Sequence, residues 1–117
     1  MGNLQNRHYT MKTKNIQIDF SGLTKQAFHQ KMKELLGFPD FYGMNWDAMI
    51  DSLSYMRQPE AGMSEITLGT DDMLVIDCKN ITRSGFELES FLEVIQACNE
   101  RELNVCGKSL ILLNIIP

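Results

Sequence analysis

The chain has only two histidines, no cysteines at C-x-x-C spacing, no excess of positive charge and no apolar run long enough to cross a bilayer. Each shortage closes off a class of function. With 11 Lys and Arg against 15 Asp and Glu, the net charge is −4. A general nucleic-acid binder needs a basic surface, so direct nucleic-acid binding is not expected. The longest apolar stretch, Leu110–Ile116, is far too short for a transmembrane helix. The N-terminus lacks the apolar segment of a signal peptide, and a cytoplasmic location is expected. Cys78, Cys98 and Cys106 are odd in number, and two of them fall in apolar periodic stretches. They read as reduced core residues, not a disulfide framework. Neither His8 nor His29 sits beside a cysteine or serine in a nucleophile motif, and zinc spacing, a P-loop and a dinucleotide fingerprint are all missing. No catalytic residue, metal or cofactor is expected, and His29 reads as a surface residue on the polar side of a helix.

What is present suits one small globular domain. The chain has 117 residues, 44% hydrophobic and 22% charged, enough for one core. Residues 1–13 show no period and read as a loosely held tail, leaving 14–117 as the domain. "NIQIDF" alternates and places Ile16, Ile18 and Phe20 on one face of a strand. Thr24 is positioned to cap a helix over Lys25–Leu36, striped by Phe28, Met32, Leu35 and Leu36 and ended by Gly37. "FPDFYG" is a turn in which Pro39 stops the first helix and Gly43 permits a sharp entry to the next.

Asn45 is the expected N-cap of a second helix, with Met44 and Met49 spaced as a hydrophobic staple. Trp46, Met49, Ile50 and Leu53 form its inward stripe. A loop follows from Met56 to Asp72, then the buried strand "MLVID". Ser84 and Glu87 have capping-box spacing for a third helix striped by Leu88, Phe91, Leu92, Ile95 and Cys98. "SLILLNII" supplies the last strand. The order β-α-α-β-α-β predicts an α/β fold with a small, mostly parallel sheet packed by helices.

Two features invite a functional reading. Asp77 in "LVIDC" and Asp19 after the first strand occupy positions where strand-end carboxylates in α/β sheets accept phosphate or hold metal. Lys108 could supply a cation. This reading gives a stand-alone signalling or metal-binding domain, although strand-end aspartates are also ordinary turn formers. The second feature is Asp47 and Asp51, four residues apart on the polar side of the second helix. Asp47 in the first turn favours the helix dipole. Asp51 lies beyond that turn, where aspartate is a poor helix former and repels its neighbour by a few tenths of a kcal/mol.

The stretch "FPDFYGMNWDAMIDSL" closely resembles the signature of the barstar family of ribonuclease inhibitors: a proline, an acid and an aromatic pair, then Y-G-x-N and a helix bearing D-x-x-x-D. Pro39, Asp40, Phe41, Tyr42, Gly43, Asn45, Asp47 and Asp51 carry it, and the order of elements agrees from Asn15 to Ile116. The resemblance implies a barstar-like fold of three parallel strands and three or more helices. It also implies a protein that is not an enzyme but an inhibitor or immunity protein, monomeric when free. Its partner would be a basic extracellular ribonuclease or nuclease toxin, bound one to one. The partner-binding residues so implied are Phe41, Tyr42, Gly43, Asn45, Asp47 and Asp51, with the carboxylates standing in for RNA phosphates. An adaptor of the same fold without nuclease binding is the remaining alternative. The chain departs from the family pattern in four places. Phe41 replaces a tyrosine, Ile50 a tryptophan, and the matching acid of the third helix falls near Ala97, between Glu93 and Glu100. The loop 56–72 is the fourth departure, being longer than its counterpart.

Overall fold

The computed structural model describes residues 12–117. The tail expected over residues 1–13, His8 included, lies outside the described residues up to position 11, and Thr13 opens the first strand.

The alternating segment and the two apolar runs form the three expected strands: β1 (Thr13–Asp19), β2 (Met73–Lys79) and β3 (Ile111–Ile116). They form one sheet in the order β1-β2-β3, with both pairings parallel. Because side chains alternate along a strand, the register places Ile16, Ile76 and Leu113 in one row and Ile18, Cys78 and Ile115 in the next. This face enters the core through Ile18, Leu74, Ile76 and Cys78, which are buried, whereas Ile115 near the end of β3 stays exposed. The opposite face carries Gln17, Asp77 and Asn114 in one row, and Asn114 Nδ2 donates to Asp77 Oδ1 at 2.9 Å. The reading of the second strand as buried therefore holds for Leu74, Val75 and Ile76, while the outer strands stay open on their far side.

Helix α1 spans Lys25–Leu36. Thr24 caps it by accepting from Ala27 N–H at 3.1 Å, and Gly37 ends it in the left-handed region at φ +69°. Phe28, Met32 and Leu36 are buried, with Leu35 packed partly against the core. His29 overturns its reading as a surface residue, for it is only 1% exposed. It stands three residues before Met32 and seven before Leu36, on the same inward stripe.

Helix α2 spans Trp46–Ser54, and α3 spans Glu89–Cys106 and packs against α2. The capping box expected at Ser84 and Glu87 does not form. Leu88 occupies the N-cap position without a side-chain bond, and Ser84 Oγ bonds the backbone of Phe86 instead. The reason is tertiary. Ser84 bridges to Ser21, Gly22 N–H donates to Arg83 O at 2.9 Å and Gly85 N–H to Leu23 O at 2.9 Å. These bonds hold the segment beside the end of β1, so the helix starts later. Leu92 also leaves its expected stripe and is exposed, its place in the core taken by Val94. Rings of Phe20, Phe28, Phe86 and Phe91 meet at the centre, Phe28 and Phe91 edge-on at 4.8 Å.

Candidate docking site

The turn between α1 and α2 is built from its own backbone and two core side chains. Tyr42 N–H donates to Pro39 O at 2.9 Å, closing the chain after the helix-breaking proline. Tyr42 then points inward. Its hydroxyl lies 2.6 Å from His29 Nδ1, and its ring lies 4.8 Å from that of Phe38. Desolvation raises the Tyr42 phenol well above its ordinary value, and burial, with some help from Lys25, lowers the His29 imidazole. Both rings are therefore neutral at physiological pH. With Tyr42 turned in, its neighbour Phe41 is turned out, 74% exposed.

The sharp entry to α2 falls one residue later than expected. The left-handed residue is Met44, at φ +56°, and not Gly43. Gly43 serves through its small size: a Cβ there would come 3.0 Å from the Asn45 amide nitrogen. That amide donates to Gly43 O at 3.2 Å while Asn45 Oδ1 accepts from Ala48 N–H at 2.8 Å. Asn45 thus caps the helix and fixes the turn together. Trp46 packs its ring 4.5 Å from His29, and Met49 and Leu53 are buried, so Asp47 and Asp51 are left facing outward.

Both carboxylates are exposed, and among the described residues no ion pair reaches either. The cations nearest in sequence and on α3 are engaged elsewhere. Arg57 pairs with Glu102 at 2.9 Å, and Arg101 pairs with Glu102 at 3.2 Å while donating to Ser54 O. Lys108 pairs with Asp71.

A groove of about 340 Å³ opens here. All six residues expected to bind a partner line it: Phe41, Tyr42, Gly43, Asn45, Asp47 and Asp51. Ala48 and Ser52 complete the α2 side, as their spacing from Asp47 and Asp51 allows. Met63, from the loop 56–72, also lines the groove and had no local signal in the sequence. Ile50 is packed partly against the core, and Glu93, Ala97 and Glu100 are exposed on α3 outside the groove. Its arrangement offers carboxylates, an aromatic face and a rigid backbone to a cationic surface.

The strand aspartates have company of another kind. Asp77 lies within β2 and accepts from Asn114. Asp19 accepts from Asn80 Nδ2 at 3.0 Å and Ser21 N–H at 2.9 Å, bonds that hold its carboxyl below the usual range. Among the described residues no three His, Cys, Asp or Glu side chains gather as metal ligands, and no helix is long and apolar enough to cross a membrane.

Three parallel strands in sequence order, backed by helices, with an aromatic turn and an acidic helix at one edge, define the class: a small α/β protein of the barstar-like fold. The chain belongs to the barstar family, whose model, described as Barstar (barnase inhibitor), matches residues 13–108. Members of this family are inhibitors of ribonuclease rather than enzymes. No curated protein matches the chain.

Proposed function

We propose that the chain inhibits a basic ribonuclease or nuclease toxin by seating the turn and helix from Phe41 to Asp51 in the enzyme's active-site cleft. The observation that carries this reading is the exposed pair Asp47 and Asp51, unpaired among the described residues, at the edge of a preformed groove. Like charges at this spacing cost the free protein a little. Guanidinium and ammonium groups that normally bind RNA phosphate turn that repulsion into attraction. Tyr42 and Asn45 hold the turn, Gly43 lets it close, and Phe41 offers an apolar ring to the partner. The protein acts as a monomer, binds one nuclease molecule, and shields the cytoplasm of the cell that makes the nuclease. It carries out no chemistry of its own.

The reading through Asp19 and Asp77 draws less support, because both carboxylates are already hydrogen-bonded to asparagine amides. The test of the proposal is inhibition of a barnase-type ribonuclease at low and high salt. Tight inhibition that weakens as salt rises is expected, since exposed charges steer association and are screened beyond about 8–10 Å at physiological ionic strength. Equal affinity of the native chain and an Asp47→Ala, Asp51→Ala double variant would refute it.

A further inference from the structure

One wall of the groove comes from a segment outside the docking turn and helix. Met63 belongs to the long connection between α2 and β2, yet it lines the same groove as Phe41, Asp47 and Asp51. Connections of this length are commonly mobile unless they serve a function. This one is tied down along its course. Arg57 donates to the carbonyl oxygens of Asp72 at 2.7 Å and Ser109 at 2.8 Å, and to Glu102 Oε1 at 2.9 Å. Met56 and Leu68 are buried, and Leu68 N–H donates to Met56 O at 2.8 Å. Glu65 and Ile66 N–H groups donate to Leu36 O, at the end of α1, at 3.0 and 3.1 Å. Between these ties a 3-10 turn at Pro59–Ala61 ends on Gly62 at φ +67°, directly before the half-buried Met63. Bonds on both sides of it make Met63 a fixed part of the wall.

We propose that Met56–Asp72 is a second docking segment, and that Met63 is a specificity-determining residue within it. With Phe41 it receives the aliphatic stem of an arginine from the partner nuclease, whose guanidinium lies against Asp47 and Asp51. The inference rests on the docking function proposed above and adds to it the wall and the side chain that the wall accepts. The groove joins carboxylates to apolar surface, and a cation on an apolar stem complements both. Arginine fits better than lysine for three reasons. Its guanidinium is planar and stacks on aromatic faces such as the exposed Phe41 ring. It is weakly hydrated, and its fork offers separate edges to two carboxylates one helical turn apart. The flexible, polarizable thioether of methionine adapts to such a stem.

The test uses the full chain with its eight methionines labelled at the methyl carbon and its backbone amides labelled at nitrogen. It is titrated with L-arginine amide, and in parallel arms with L-lysine amide and with sodium chloride at matched ionic strength. The Met63 resonance is assigned by its loss in Met63→Leu. The expected result is a saturable shift of the Met63 methyl together with the Asp47 and Asp51 amides. That response should be several-fold weaker with lysine amide and lost in Asp47→Asn, Asp51→Asn. Three results would overturn the inference: movement at Asp47 and Asp51 while Met63 stays still, an equal response to lysine and arginine, or no saturable response anywhere. Ribonuclease inhibition by the same sample reports the docking function separately, so a silent Met63 beside intact inhibition removes this inference alone.

Discussion

His29 Nδ1 and the Tyr42 hydroxyl lie 2.6 Å apart and join α1 to the turn that leads into the acidic helix. The other ring nitrogen, Nε2, is buried with no hydrogen-bond partner among the described residues. A charged imidazole would leave an N–H there unsatisfied, among the rings of Phe28, Trp46 and Tyr42.

Acid should therefore loosen the protein before its carboxylates titrate. Folding holds His29 neutral with a lowered pKa, whereas the unfolded chain takes up a proton near pH 6.5. Its contribution to stability is complete above that pH and is lost as pH falls through 6.5 toward the lowered native value. Urea midpoints measured between pH 7.5 and 5.5 should decline in the native protein. In His29→Phe the slope should flatten, and an unchanged slope would show that another group is responsible.

Removing the hydroxyl in Tyr42→Phe leaves His29 Nδ1 without a partner as well. A loss of about 1–3 kcal/mol is expected, the cost of a buried polar group left unsatisfied. Chemical denaturation reads it directly, and the turn amides from Pro39 to Asn45 should exchange faster with solvent.

Asp51 separates binding from stability. Truncation to alanine relieves the repulsion with Asp47 and installs a better helix former, so Asp51→Ala should be more stable by a few tenths of a kcal/mol. Binding to a basic ribonuclease should weaken by about 2–5 kcal/mol or more, the cost of truncating one member of a buried charge pair; barnase–barstar is itself a worked case of such pairs and reaches higher. Asp47→Ala should cost less affinity and should lose some stability through the helix dipole. Thermal melts and inhibition titrations on the same samples check both halves.

Arg57 should be the most costly charge to remove. Its side chain is 8% exposed and Glu102 beside it 3% exposed, so Arg57→Ala leaves Glu102 Oε1 unpaired in the interior, with only the more exposed Arg101 on Oε2, and frees the carbonyls of Asp72 and Ser109 as well. A loss of about 3–5 kcal/mol is expected. Arg101, 37% exposed on the other side of the same glutamate, should cost under about 1 kcal/mol in Arg101→Ala. Urea unfolding of the two variants makes the comparison.

The three thiols should react in order of access. Burial and the charge of Asp77 push the Cys78 thiol up to about 11, and burial raises Cys98 as well. Cys106 is only partly buried. Titration with a thiol reagent near pH 8 should show one accessible thiol in the folded protein and three after denaturation.

Much of this was legible because short-range rules governed it. Thr24, Gly37 and Asn45 cap their helices through bonds to residues three or four positions away, and the alternation around Ile18 sets its strand face. The acidic ridge followed from helical spacing alone. The misread residues answer to distant partners. Ser84 has capping-box spacing, but its segment bonds to Ser21, Gly22 and Leu23 across the fold. His29 matched the inward stripe at Met32 and Leu36, a signal that residue polarity masked. Met63 gave no sign at all, since its place depends on ties from Arg57 to Ser109 and from Glu65 to Leu36.

The strand order carries a kinetic cost. Thr13 pairs with Met73 and Leu74 with Ile111, so the sheet contains no hairpin that could form between neighbouring segments. Both ladders require closure of loops dozens of residues long before any pairing energy is returned, which places the chain among slowly folding topologies. The helix bearing Asp47 and Asp51 has nine residues, too few to persist without tertiary packing, and the bonds that anchor its loop through Ser109 wait for the last crossover. Nascent chains would therefore gain the acidic ridge and the completed groove together, once the final strand has docked.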